Sequence, residues 1–224
     1  MPVHRWTLRR RLLDDHLKQA APLVQGIVLD VGGERVGYRG RFRPPRGVRW
    51  VYANLDLTTR PDIVCDAHAL GIRDEAVDAV VCVEVLEHVA NPRAVLAEIH
   101  RVLRPRGTLL LATPFLYRLH GDPYDYQRVT DHWLYEVLGQ LGFRVVHLAR
   151  QGAFFTVVAD MVHQAVTGAA HRWIRALFTP PLLAIQVLCP WLDRRLRAHA
   201  SPLLSSFTTG FFVVAIRDKG KRDT

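Results

Sequence analysis

Four carboxylates close apolar runs: Asp30 after Ile27-Val-Leu29, Asp56 after Trp50-Val-Tyr-Ala-Asn-Leu55, Asp66 after Ile63-Val-Cys65, and Glu84 after Ala79-Val-Val-Cys-Val83. Acids repeated at strand ends make a negative rim that can accept hydrogen bonds from hydroxyls and hold a cation, while repelling a pyrophosphate. Gly32 and Gly33 follow the first acid, and a missing Cβ there lets backbone come close to a ligand. A second group, His120, Asp122, Tyr124, Asp125, Tyr126 and Arg128, joins proton-accepting side chains to a guanidinium. His120 is the candidate general base, with Asp122 beside it, because imidazole titrates near neutrality. The bland alternatives are a turn or helix cap for each strand-end acid, and a loop pinned by aspartates and tyrosines for the second group.

The elements that would position these residues follow from periodicity. Continuous Val/Ile/Leu runs read as strands of a buried parallel sheet. Asn91 and Pro92 open a helix whose Val95, Leu96, Ile99, Val102 and Leu103 recur at helical spacing, and Arg104-Pro-Arg-Gly107 stops it. Thr108 to Thr113 is a fifth strand, Asp131 to Leu141 a helix ended by Gly142, and Phe143 to Ala149 a sixth strand. Glu34 to Gly47, rich in glycine, proline and arginine, has no apolar period, so a loop replaces the usual crossover helix. The alternation predicts an α/β class: a seven-stranded, doubly wound, mostly parallel sheet with the last strand antiparallel and ligands beyond the carboxyl ends of the strands.

Around a core spanning 25–150 the sequence predicts an amphipathic helix within 1–24, with Trp6, Leu12, Leu13, Leu17 and Ala20 near one face and Arg9, Arg10 and Arg11 interspersed. An apolar helical insertion or lid covers 151–205, a final core strand 206–217 and a charged tail 218–224. In the insertion, Ala153 to Ala170 contains Asp160 and His163, and Trp173 to Leu192 is interrupted by Pro180, Pro181 and Pro190, so neither reads as a clean membrane span. An interfacial or lid-like arrangement fits better. It leaves strand six on the side of the acidic rim, where it can roof an acceptor pocket. An apolar, tryptophan-containing roof with a basic border suits a large, lipid-linked or membrane-presented acceptor.

With 224 residues, 49% of them hydrophobic and 23% charged, the chain has the composition of a folded protein and not of a disordered one. The net charge of +9 is compatible with nucleic acid, anionic lipid or an acidic substrate, and equally with a basic solvated surface. Cys65, Cys82 and Cys189 form no CxxC pair, which argues for inert thiols in a reducing compartment and against a cysteine-held zinc. The basic N-terminus lacks an apolar run and a small-residue cleavage site. The expectation is a cytoplasmic protein with peripheral contact to the inner face of the membrane through the 153–192 insertion.

Taken in order, Val28-Leu-Asp-Val-Gly32, Asn54-Leu-Asp56, Cys65-Asp-Ala-His-Ala-Leu70, Asp78-Ala-Val-Val-Cys-Val-Glu-Val-Leu-Glu-His-Val89 and Arg101-Val-Leu-Arg-Pro-Arg-Gly-Thr-Leu109 resemble the motifs of class I S-adenosylmethionine-dependent methyltransferases. The likeness is strongest to the small-molecule type that includes ubiquinone-biosynthesis enzymes, and Leu119 to Thr130 further resembles methyltransferases associated with glycan biosynthesis. The resemblance implies S-adenosyl-L-methionine as cofactor. It implies that Asp30, Gly32 and Gly33 cradle the amino-acid part, that Asp56 accepts hydrogen bonds from the ribose hydroxyls, that Asp66 with the Ala67 backbone reads the adenine edge, and that Glu84 lines the methionine side. The expected reaction is O-methylation of a glycan, lipid-linked or other small-molecule acceptor.

One departure stands out: Glu34 occupies a position where the family usually has another glycine. That motivates an alternative, a non-catalytic scaffold that keeps the fold but has lost the cofactor. A nucleic-acid methyltransferase is a third reading, and the lack of an Asn-Pro-Pro-Tyr type base-flipping motif argues against a nucleic-acid partner. Glu84-Val-Leu-Glu-His88 also matches an ExxEH pattern that some members of the family use for magnesium. Helical spacing puts only two of its three residues on one face, which favours Glu87 and His88 as supports of the sheet rim.

Overall fold

The computed structural model describes residues 7–35, 42–169, 171–197 and 202–219. Its sheet comprises β1 (Ile27–Val31), β2 (Arg49–Asn54), β3 (Ile63–Val64), β4 (Val77–Val83), β5 (Leu103–Pro114), β6 (Phe143–Arg150) and β7 (Gly210–Arg217), in the order β3-β2-β1-β4-β5-β7-β6. β1 to β5 pair in parallel, whereas β7 is antiparallel to both neighbours. The expected seven-stranded α/β sheet is therefore present. From β1 the chain winds outward through β2 and β3, then returns to β4 and winds the other way. This puts the switch point, and the crevice that goes with it, between β1 and β4.

Strand alternation sorts the side chains into two cores. Leu29, Val31, Val80, Cys82, Leu109 and Leu111 pack under α2 (Pro92–Val102) and α3 (Asp131–Gln140). Val28, Val81, Val83, Leu110 and Phe212 pack under α1 (Leu8–Ala20) through Leu13, Leu17 and Ala20. α1 begins at Thr7, whose side chain accepts from Arg10 N, while Trp6 lies outside the described residues. The basic positions interspersed along α1 do not all face solvent, because Arg9 is buried together with Asp14. α2 starts as expected, with Asn91 accepting from Ala94 N and Pro92 in the first turn. β5 begins directly after it. Arg104 to Gly107, expected to be a bare stop signal, lies within β5, where the register shifts and Arg106 takes a φ of 68°.

The insertion forms α4 (Phe154–Thr167), α5 (Arg172–Arg197) and α6 (Pro202–Ser206). α5 runs through Pro180, Pro181 and Pro190, so the break expected at those prolines is absent. Each proline removes one main-chain donor, and packing of α5 against α4 holds the helix across those gaps. Asp193 on α5 caps the start of α4, accepting from Ala153 N at 3.0 Å, Phe155 N at 3.1 Å and Thr156 N at 2.9 Å. Asp160 and His163, the groups that interrupt the first apolar segment, are buried. Asp160 Oδ1 accepts from Arg9 N at 3.4 Å, and a chain of contacts leads from Arg11 through Gln186 (2.5 Å) to His163 (2.5 Å). Asp160 and Gln186 thus tie these helices to α1. Among the described residues no helix is long and apolar enough to cross a membrane.

The segment between β1 and β2 carries no helix in residues 34–35 and 42–48, and 36–41 lie outside the described residues. Residues 198–201 of the insertion and 220–224 of the expected tail also lie outside them.

Candidate active site

At the end of β1, Gly32 has a φ of +69° and its N–H donates to Ala53 O at 2.7 Å. Gly33 donates to Asp30 O at 3.2 Å, and a Cβ added to it would stand 2.5 Å from Asp30 Cγ. Both positions therefore require glycine, one for its backbone conformation and the other for space. Asn54 holds the turn in place by donating from Nδ2 to Gly33 O at 3.0 Å. Beside it opens a cleft of about 400 Å³, lined by Gly32, Asn54, Leu55, Asp66, Ala67, Val85, His88, Tyr124 and Tyr126 among others.

Of the residues singled out from the sequence, Gly32, Asp66 and Ala67 share this cleft. Asp66 Oδ1 accepts from His68 N at 2.8 Å and lies 2.7 Å from His68 Nδ1; these bonds hold its carboxyl below the ordinary range. Asp30 points to the opposite face of β1, where it accepts from Trp50 Nε1 at 3.2 Å and lines a second cavity of about 210 Å³ under α1. Glu34 lines that second cavity too, so its carboxylate is not in the first cleft. Asp56 is exposed at the rim and lines neither cavity. Its Oδ1 accepts from Thr58 N at 2.8 Å, a bond that lowers its pKa. The rim stays anionic at neutral pH.

Glu84 leaves β4 in the left-handed region, φ 57°, a conformation that non-glycine residues hold only where the surroundings enforce it. Its carboxylate pairs with the Arg9 guanidinium, and both side chains are largely withdrawn from solvent. Arg9 Cζ also lies 4.5 Å from the centroid of the Tyr117 ring. Arg9 was not legible as a site residue, because a basic residue on an amphipathic helix ordinarily faces water. Tyr117 in turn lines an open groove of about 500 Å³ with Phe115, Leu116, Arg118, Met161, Gln164 and Ala165, between the segment after β5 and α4. The insertion thus does border a groove on the rim side of the sheet.

The stretch carrying His120 is fastened to the 3-10 turn Leu86–His88. Gln127 Nε2 donates to Leu86 O at 3.0 Å and to Val89 O at 2.9 Å, and Tyr126 N donates to Glu87 O at 2.8 Å. Removing the amide by Gln127→Leu leaves two carbonyls short of a donor, and we expect a loss of about 1–3 kcal/mol in urea denaturation. A change under a few tenths would show that the loop is held otherwise. His120 Nδ1 lies 3.4 Å from Asp125 Oδ2, and Asp125 is itself gripped by Arg128 through both guanidinium nitrogens. Burial, with His88 nearby, pushes His120 below its ordinary pKa of 6.5, so the ring is neutral at pH 7. Asp122 is exposed beside the cis bond to Pro123, and among the described residues its carboxylate meets no partner. His120 therefore sits in a built environment that Asp122 does not share.

The segment from residue 50 to 111, from β2 into β5, matches the family model described as a methyltransferase domain. Over most of its length the chain superposes on a S-adenosylmethionine-dependent methyltransferase from Archaeoglobus fulgidus, with a TM-score of 0.57, 14% identity and coverage of 92% of this chain and 94% of that one. The chain has the class I methyltransferase fold. Phosphoethanolamine N-methyltransferase 2 of Haemonchus contortus, solved with S-adenosyl-L-methionine, is similar at a TM-score of 0.57 and 16% identity, over 93% of this chain and 52% of that chain. A [4+2]-cyclase, SpnF, gives a TM-score of 0.58 at 20% identity, over 94% of this chain and 81% of its own. In sequence, 49 residues are 45% identical to an uncharacterized transposon protein of Streptomyces fradiae; they make up 22% of this chain and span only 14% of that protein. The matched family model is that of a methyltransferase domain, and one of the similar structures was solved with S-adenosyl-L-methionine.

Proposed function

We propose that the chain transfers the methyl group of S-adenosylmethionine to an oxygen of a glycan, lipid-linked or other small-molecule acceptor. The observation that carries this reading is the cleft at the β1/β4 switch point, where a backbone turn that only glycine can make meets the Asp66-Ala67 edge and, among the described residues, no lysine or arginine lines the space. Gly32 and Asn54 would meet the ribose and amino-acid part, Asp66 and the Ala67 backbone the adenine, and Asp56 the ribose hydroxyls from the rim. Asp30 with Gly33 would support the turn, and Glu84 the methionine side. When bound, the cofactor supplies an electrophilic methyl on a cationic sulfur, which an anionic rim favours.

The chain's own residues have to align the acceptor and take its proton. His120, neutral at pH 7 and with its main-chain N–H bound to Asp125 Oδ2 at 2.8 Å, is the proton acceptor of the metal-free protein, with Asp122 as the candidate next to it. A base must be unprotonated to act, so the methyl-transfer rate is expected to level off at high pH and to fall as pH drops through the lowered pKa of His120. A pH–rate profile of His120→Gln should lose that limb; an identical limb in the variant would remove His120 from the role.

The acceptor class rests on the groove beside α4 and on the apolar side chains exposed on α5, including Trp173, Leu177, Phe178, Leu188 and Trp191, with exposed Arg194 and Arg195 at the same helix's end. Tryptophan and arginine on one helix suit the edge of an anionic membrane. We therefore favour an acceptor presented at the cytoplasmic membrane surface. The test is transfer of labelled methyl into lipid extract, polysaccharide and water-soluble metabolite fractions, with vesicle flotation alongside. Label in the soluble fraction alone, with no co-flotation on anionic vesicles, would overturn the membrane part. The fold alone does not guarantee methyl transfer, since a cyclase shares it.

A further inference from the structure

We propose that Glu87, His88 and His120 form a binding site for a late first-row divalent cation, zinc foremost, at the junction of the cofactor cleft and the loop after β5. Glu87 is completely buried, and neither of its carboxylate oxygens has a hydrogen-bond partner. An unpaired carboxylate in that position is costly and calls for a cation. Two imidazoles supply the remaining donors: His88 Nε2 lies 3.8 Å and His120 Nε2 3.9 Å from Glu87 Oε1. One ligand atom from each of the three lies within 4.8 Å of the others.

The far nitrogen of His88 is engaged in the way a metal-binding histidine requires, whereas that of His120 is buried without a hydrogen bond, 3.4 Å from Asp125 Oδ2. His88 Nδ1 is 2.6 Å from Tyr124 O, to which it can only donate. A proton on Nδ1 of His88 leaves the lone pair of its Nε2 directed at Glu87. Ligand bonds of about 2.0–2.2 Å to a tetrahedral ion ask for ligand separations of about 3.3 Å, so the two carboxylate–imidazole pairs close by about half an ångström and the widest pair, within 4.8 Å, by up to about 1.5 Å of ring rotation. Gly121 keeps the two rings together: at φ +74° it lies so close to His88 that a Cβ would stand 2.7 Å from its Cε1.

This set is not the one implied by the ExxEH pattern. The first member of that pattern, Glu84, is committed to Arg9, and the third ligand comes instead from His120. Two nitrogen donors also select zinc-like ions over magnesium, which prefers oxygen. The cysteines, whose spacing argued against zinc, take no part. His88 also lines the cofactor cleft, so the open coordination positions of an ion held here can polarise an acceptor hydroxyl delivered to the rim. The site itself stands apart from the methyl-transfer reading, because its test uses neither cofactor nor acceptor.

The test is titration of the tag-free, chelator-treated full chain with zinc against a chromophoric chelator, and with cobalt(II) followed by visible absorption. One zinc per chain and the intense bands of low-coordinate cobalt are expected. His120→Gln and Glu87→Gln should each weaken zinc at least tenfold with unchanged far-ultraviolet circular dichroism. Glu84→Gln and the exposed control His132→Ala should stay within twofold, and millimolar magnesium should not compete. No zinc bound, zinc retained at full affinity in His120→Gln, a loss in Glu84→Gln as large as in Glu87→Gln, or displacement by magnesium would each overturn the proposal.

Discussion

Replacing Gly32 with valine is expected to lower the affinity for S-adenosylmethionine by at least a hundredfold while leaving the chain folded. Gly32 stands at φ +69°, where a β-branched residue is strained by about 1–2 kcal/mol. That cost falls within the ordinary 5–15 kcal/mol stability of a domain, so a folded variant is expected. The larger effect is steric, because Gly32 lines the cleft and an isopropyl group there fills space that the cofactor needs. Equilibrium dialysis with labelled cofactor measures the loss, and a melting curve confirms the fold. A variant that binds like the wild type would move the cofactor out of this cleft. Gly33→Ala is the contrasting change: its added methyl would collide with Asp30, so it should destabilise the turn itself.

The second large effect concerns stability. Arg9→Ala removes the partner of Glu84 in a part of the protein with little access to water, and breaking such a pair from one side typically costs about 3–5 kcal/mol. Loss of the guanidinium over Tyr117 adds to it. Urea denaturation of the variant should show the drop, and Arg9→Met combined with Glu84→Gln should recover much of it, because no charge is then left unpaired. A loss under about 1 kcal/mol in the single variant would mean that water solvates Glu84 and that the pair does not anchor α1 to β4.

The sheet was legible because its runs of Val, Ile and Leu are long, and because three later runs repeat the first in ending on an acid. α2 was legible to within a residue or two from Asn91, Pro92 and the spacing of Val95, Leu96 and Ile99. The continuity of α5 was not, because helix-breaking by Pro180, Pro181 and Pro190 is a local rule, while the packing of α5 on α4 is set by residues distant in sequence. The site was legible in part for the same reason. Gly32, Asp66 and Ala67 announce themselves by position after a strand and do share a cleft. Arg9 lies 75 residues from Glu84, and nothing in an arginine-rich helix marks which arginine turns inward. His120 stands out by residue type, but the sequence places Glu87 and His88 as supports of the sheet rim and not as partners of a loop 32 to 33 residues further on. Glu34, which cast doubt on the turn from the sequence, turns its side chain to the cavity on the other face of β1.

The central claim is that the cleft between the ends of β1 and β4 holds S-adenosylmethionine. Calorimetric titration of the wild-type chain with that cofactor tests it most directly, with Asp66→Ala measured in parallel. A saturable one-to-one isotherm is expected, weakened about tenfold or more in Asp66→Ala through loss of a charged hydrogen bond of about 1.5–3 kcal/mol. Absence of binding up to millimolar cofactor, or equal affinity in Asp66→Ala, would contradict it.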